Sequence, residues 1–370
     1  MESLTSQLNN LQLAQKSAIS LAKTEPEYIL TLAAQENRCE DSESLLAATS
    51  SNFTIRLYNK TTLASSSNIQ AHDTVITGIT FGNEDPNILI SSSSDKTVKC
   101  WDLRSSPENA AQTFQGGCNT GFGSVDINSD DRLICAGTEV DKNKDVFMIF
   151  WDRRKSSYLG SYTESFENEI TQVKFHPSKS DCIASGASDG LVNIFNLKET
   201  DEDDALQLTL NTESFVARIG WCGEDYSNIY CITDVDTYHV WDATEGDVIK
   251  EVLNLKDKLK GEESIDYMID VVPTLDTSKH FLATGTKSGD IKLLDVTSKI
   301  PDMISCLSKG HNEIVRCIYY NVQNRTLVTG GEDSLLCLWS SENITPNTNS
   351  SKRGVKMKQT PTKRLKPYKR

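Results

Sequence analysis

This chain lacks the marks of several large functional classes. No apolar run approaches the roughly 18 residues of a membrane-spanning helix. The opening Met1-Glu-Ser-Leu-Thr-Ser does not follow the basic-then-apolar pattern of a secretory leader. Its ten cysteines are scattered, with no Cys-x-x-Cys pair and no Cys/His group at zinc spacing. They read as reduced, mostly buried thiols of a cytosolic or nuclear protein. Histidine is scarce, at five residues, and there is neither a Gly-x-Ser-x-Gly elbow nor a phosphate-cradling glycine loop. No metal site and no cofactor is therefore expected.

What the chain does have is repetition of short β-prone runs. The most regular lies at 89–104, where Leu89, Ser91 and Ser93 alternate with Ile90 and Ser92. Thr97, Lys99 and Trp101 then alternate with Val98 and Cys100. Two such runs joined by the polar pair Asp95-Lys96 predict an antiparallel hairpin. Ser93 and Asp95 can hydrogen-bond an imidazole from the preceding loop, and Trp101 has one indole N–H for the same network. Comparable runs end at Tyr58, Trp101, Trp151, Phe195, Trp241, Leu294 and Trp339, spaced 43 to 53 residues apart. A period near 40–45 residues marks a β-propeller. Seven units fit, two of them with insertions; six or eight blades are the alternatives.

The 89–104 stretch, with His72 upstream and a Gly310-His311 pair before the last run, resembles the WD40-repeat family. That resemblance implies an all-β, seven-bladed propeller over 26–343. Residues 1–25 would form a weakly ordered extension or a short helix through Leu4, Leu8, Leu11 and Gln15. The segment Tyr28–Ala33 would supply the outer strand of the last blade and close the ring; the alternative is an ordinary first strand. A structural tetrad of His, Ser/Thr, Asp and Trp is implied at His72, Ser93, Asp95 and Trp101. The seventh repeat keeps His311, Asp333 and Trp339 but has Gly331 where Ser would sit. The fourth has Phe166, Ala187, Asp189 and Phe195. Partner-binding positions carried over from the family fall at Val75, Thr77 and Ser94, and at Glu169, Thr171 and Ser188. The others are Phe215 and Ala217, then Ile314, Arg316 and Glu332; each can equally be an ordinary loop residue.

Charge is divided unevenly. The net charge is −14, yet Lys352–Arg370 holds nine Lys/Arg and no acid, which leaves −23 on the rest. An acidic body argues against nucleic-acid binding by the propeller, so such contact would come through the tail alone. The tail, 344–370, is expected to be disordered. Its two clusters, Lys352-Arg353 and Lys363-Arg364 with Lys366, Lys369 and Arg370, read as a nuclear import signal. The acidic run Glu199–Asp204 can pair with that tail or simply be hydrated. Both Trp101-Asp-Leu-Arg104 and Trp151-Asp-Arg-Arg154 resemble the motif of cullin-type ubiquitin-ligase receptors, in which the Arg contacts the adaptor. Alternatively, Arg104 and Arg154 pair with nearby Asp side chains. The expected function is a non-catalytic platform for proteins or peptides, a monomer within a larger nuclear complex. The ligase receptor and an esterase, an activity known in a few WD40 proteins, are the rivals.

Overall fold

The alternation read at 89–104 folds as the expected hairpin. Strands Ile88–Ser93 and Val98–Asp102 pair antiparallel, with Leu89 opposite Trp101 and Ser92 opposite Val98. Leu89, Val98 and Trp101 are buried because a blade packs both faces against its neighbours. This computed structural model describes residues 4–18, 27–35, 44–105, 109–274 and 279–341. The tail and its basic clusters lie outside them.

Seven antiparallel sheets of four strands succeed one another around a channel. We call the strands of each blade a to d, from the channel outward. Blades 1 to 6 span 29–70, 76–114, 122–162, 170–211, 216–252 and 267–307. Blade 7 takes its strands a to c from 315–340. Leu, Ile, Val and aromatic residues fill the gaps between blades. One such cluster joins Ala47, Ile55 and Ile69 of blade 1 to Ile76, Phe81 and Trp101 of blade 2. Each b–c turn contains one residue in the left-handed region: Phe53, Lys96, Lys144, Gly190, Asp236, Gly289 and Ser334. Glycine is needed most at Gly289, where φ is +89° and an added Cβ would lie 2.6 Å from the His311 carbonyl carbon.

Ring closure differs from the sequence expectation. Strand Ile29–Ala34, which covers the Tyr28–Ala33 segment, is strand a of blade 1 and pairs with Leu45–Ser50. The outer strand of blade 7 is Gln12–Ala18, antiparallel to Leu335–Ser340. Gln-Leu-Ala-Gln-Lys-Ser-Ala is nearly featureless because an outermost strand buries little and is held by its backbone ladder. Apolar anchoring comes just before it. Leu8 and Leu11 are buried in a cluster with Phe281, Leu293 and Trp339. Helix Leu4–Asn9 stops short of the predicted Gln15, which lies in the strand. The propeller thus includes residues before 26.

Candidate binding face

Two blades carry a complete buried relay. In blade 2 the Trp101 indole N–H donates to Ser91 Oγ (3.0 Å), which is 2.8 Å from His72 Nε2. His72 Nδ1 lies 2.8 Å from Asp95 Oδ2, and Thr97 Oγ1 donates to Asp95 Oδ1 at 2.6 Å. Burial pushes the His72 pKa down and outweighs the attraction of Asp95, so the imidazole is neutral at pH 7. The consistent proton order is Trp101 N–H to Ser91 O–H to His72 Nε2, with His72 Nδ1–H to the carboxylate. Burial would raise the Asp95 carboxyl, but the bonds from Thr97 and His72 hold it below the usual range.

The serine of this relay is Ser91, not Ser93. Both point the same way along strand b, but Ser91 is two residues nearer the Trp101 register. Ser93 Oγ instead donates to the Val75 carbonyl at 2.7 Å and accepts from Asp95 N–H. Blade 7 is corrected by the same offset. Gly331 is no defect, because Thr329 occupies the working position. Thr329 Oγ1 lies 2.7 Å from His311 Nε2 and 2.9 Å from Trp339 Nε1, and His311 Nδ1 is 3.0 Å from Asp333. Gly310 precedes because an added Cβ would meet the Trp339 ring at 2.3 Å. A triad-like trio of Ser91, His72 and Asp95 therefore exists, yet Ser91 is 0% exposed and its oxygen is engaged on both sides. No substrate reaches it.

The relays help fix one end of the ring, where the b–c turns and the loops entering each blade meet. A backbone hydrogen bond joins turn and loop in every blade. Its N–H donors are Ser51, Ser94, Glu139, Ser188, Asp234, Asp266 and Glu332. The acceptors are the carbonyls of Tyr28, Val75, Gly121, Glu169, Phe215, Gly285 and Ile314, at 2.9 to 3.2 Å. Val75, Ser94, Glu169, Ser188, Phe215, Ile314 and Glu332, all expected to contact partners, thus lie together on this face. Val75 is 44% exposed and Phe215 37%, while Ser94 donates sideways to Glu139. Arg316 is exposed and ion-paired with Glu332.

Two of the predicted contacts work differently. Thr77 Oγ1 donates to the Phe122 carbonyl (2.6 Å) and Thr171 Oγ1 to that of Val216 (2.7 Å). Each ties its strand a to the next blade. Ala217 lines the channel, a space of about 600 Å³ to which every blade contributes, among others through Thr31, Ser124, Asp270 and Arg316. Sequence reasoning missed Val235, which is 58% exposed beside Asp234 in the blade 5 turn. Its signal was available: an apolar residue at the tip of a tight polar turn, Asp234-Val-Asp236, has no core to enter.

At the other end of strand c stand Arg104 and Arg154. Arg104 holds Asp102 through two bonds (2.8 and 3.0 Å) and approaches Asp85 at 3.2 Å. Arg154 grips Asp152 in the same bidentate way, at 3.3 and 3.1 Å. Each guanidinium is folded back onto the carboxylate of its own Trp-Asp pair. Hydrogen bonding by the Arg holds Asp102 and Asp152 below the usual carboxylate range. The acidic run reaches the structure through a short helix, Glu202–Ala205, capped by Asp201. There Glu202 accepts from the N–H groups of Thr163 and Ser165. Among the described residues no helix is long and apolar enough to cross a membrane. Nor does any group of three His, Cys, Asp or Glu among them suit a metal.

The family model for the WD domain, G-beta repeat, matches residues 63–102 and 304–340. Those segments contain the relay strands of blades 2 and 7. The chain is 27% identical over 351 residues to the WD repeat-containing protein 89 homolog of Dictyostelium discoideum, covering 92% of each. It is 26% identical to the WD repeat-containing protein GTS1 of Arabidopsis thaliana, covering 83% of this chain and 80% of that one. An uncharacterised WD repeat-containing protein of Saccharomyces cerevisiae is 29% identical over 79% of this chain and 75% of its own. The repeat model thus falls on the two blades whose relays are intact, and over most of its length the chain is similar to proteins named for the WD repeat.

Proposed function

We propose that this protein is a non-catalytic platform that holds a protein or peptide on the face carrying the b–c turns, within a nuclear complex. One observation carries the reading: every turn on that face is bonded to the loop beside it, so exposed side chains such as Val75, Phe215 and Val235 stand on a rigid ring. Preorganised apolar anchors with a polar surround suit peptide recognition, because little entropy is lost on binding. Nuclear residence is supported by the two basic clusters of Lys352–Arg370.

The test is affinity purification with quantitative mass spectrometry. Val75→Glu and Phe215→Glu together should strip partners that the intact chain retains. Partners held equally by both would sink the face assignment. Deleting 352–370 should move the protein from nucleus to cytoplasm in fluorescence images; an unchanged distribution would remove the import role. The ligase-receptor reading gains no support from the geometry, since both Arg forks are occupied by their own aspartates. Loss of cullin-ligase subunits on Arg104→Glu/Arg154→Glu would restore it.

A further inference from the structure

Blades 4 and 5 give the binding face a local chemistry that the other blades lack. Phe215 and Val235 are exposed large apolar side chains, and the bond from Asp234 N–H to the Phe215 carbonyl (3.0 Å) keeps their two loops together. The loops and turns of these two blades, linked by the bonds from Ser188 N–H to the Glu169 carbonyl and from Thr212 N–H to that of Gly190, carry Glu167, Glu169, Asp189, Glu213 and Asp234. None of these five carboxylates takes part in an ion pair among the described residues. Asp236 differs, being ion-paired with Lys256 and accepting from Met268 N–H. No Lys or Arg occurs in the loops 163–169 and 212–215 or the turns 188–190 and 234–236. Elsewhere on the face the turns and loops carry Lys96, Lys144, Lys287, Lys309 and Arg316. Arg218 at the channel wall is committed to the carbonyls of Ile269 and Arg316 and to Asp270.

Exposed apolar side chains on a rigid ring are poorly solvated, and five unneutralised carboxylates on these loops and turns raise the local negative potential. Resting on the platform reading, we infer that blades 4 and 5 dock a basic segment of a partner protein, with an apolar side chain seated against Phe215 and Val235. Lys or Arg on either side would neutralise Glu167, Glu169, Glu213 and Asp234. An acidic or neutral partner would leave those carboxylates desolvated without compensation, which disfavours it. The occupant is therefore defined by charge complementarity around an apolar anchor.

Fluorescence anisotropy of the intact chain tests this, with the labelled synthetic peptide Lys-Arg-Leu-Lys-Pro-Tyr-Lys-Arg as probe. Its sequence is that of residues 363–370 and provides five cations around Leu and Tyr. Saturable binding should weaken about tenfold in Glu213→Lys/Asp234→Lys and severalfold in Phe215→Ser/Val235→Ser. It should be unchanged in Glu224→Lys/Asp225→Lys, a matched pair on the opposite end of blade 5. Equal loss in that control pair, or no saturable binding, would overturn the inference. So would higher affinity on deleting 352–370, which would make the chain's own tail the occupant. If the probe fails while the Val75/Phe215 variant still loses its partners, the platform reading stands and only the basic-segment inference falls.

Discussion

Blades 2 and 4 occupy equivalent places in the ring and are locked by opposite means. Blade 2 uses a polar relay in which Trp101, Ser91, His72 and Asp95 satisfy one another in the interior. Blade 4 replaces the imidazole with Phe166 and the indole with Phe195, whose ring centroids are 6.0 Å apart, and adds Tyr162 at 5.5 Å from Phe195. The serine survives as Ser185, a buried hydroxyl with no hydrogen-bond partner among the described residues. The junction of loop and blade needs a rigid filler, and either hydrogen bonds or aromatic packing can provide it. What differs is how each fails.

The aromatic lock should be the more costly to empty. Phe166→Ala leaves a cavity between Phe195 and the buried neighbours Phe150 and Val146, and is expected to cost about 3–5 kcal/mol. Denaturant midpoints of the variant and wild type give the value; a cost below about 1 kcal/mol would mean the loop, not the rings, holds blade 4. The relay should come next. Ser91→Ala removes one oxygen but strands both the Trp101 N–H and His72 Nε2, at about 2–4 kcal/mol for two buried groups left unpaired. Thr329→Ala should behave alike in blade 7. If Ser91→Ala costs no more than an exposed serine substitution, the relay is ornamental.

Acid should separate the blades in a third way. Burial lowers the pKa of His72, His176, His239 and His280 in the folded chain. Below their unfolded value of about 6.5 the folded chain binds fewer protons than the unfolded one. Stability is therefore complete above that pH and falls as pH drops through it. Asp95 and Asp333, held below the carboxylate range, extend the loss toward pH 4 and beneath. Tm should decline from pH 7 to pH 5 at fixed ionic strength. Hydrogen exchange should quicken at the Asp95 turn before the Asp189 turn, where Phe166 has no proton to take. A flat Tm, or the reverse order of exchange, would contradict the neutral imidazole assigned to His72.

Much of this architecture was legible in the sequence. Every predicted end of a third strand, from Tyr58 to Trp339, falls within an observed strand, because strand c is buried on both faces and reads as a β-branched or aromatic run. Closure was not legible. Gln12–Ala18 has no apolar signature, while Ile29–Ala34 has one for being innermost, so hydrophobicity pointed to the wrong strand. The relay serine was misplaced by two residues for a related reason. Residues two apart share a face in a strand, and only the pairing register shows which one faces Trp101. On the binding face, family positions led to Val75 and Phe215. Val235 carries no family mark and needed its exposure to be seen.

Ser185 gives the smallest effect and the sharpest contrast. Its hydroxyl is the counterpart of Ser91, but no imidazole or indole approaches it, and burial has taken away its water. A buried hydroxyl without a partner costs stability rather than adding it, so Ser185→Ala should be neutral or stabilising by up to about 1 kcal/mol. The same atom removed from blade 2 should cost several times that. Restoring the partners ought to reverse the sign. In Phe166→His/Phe195→Trp, Ser185 regains the groups that Ser91 has, and Ser185→Ala on that background should become destabilising. A double-mutant cycle from denaturant midpoints measures the change directly. Equal effects on the two backgrounds would mean that Ser185 finds a bound water, and that blade 4 is less dry than its aromatic packing implies.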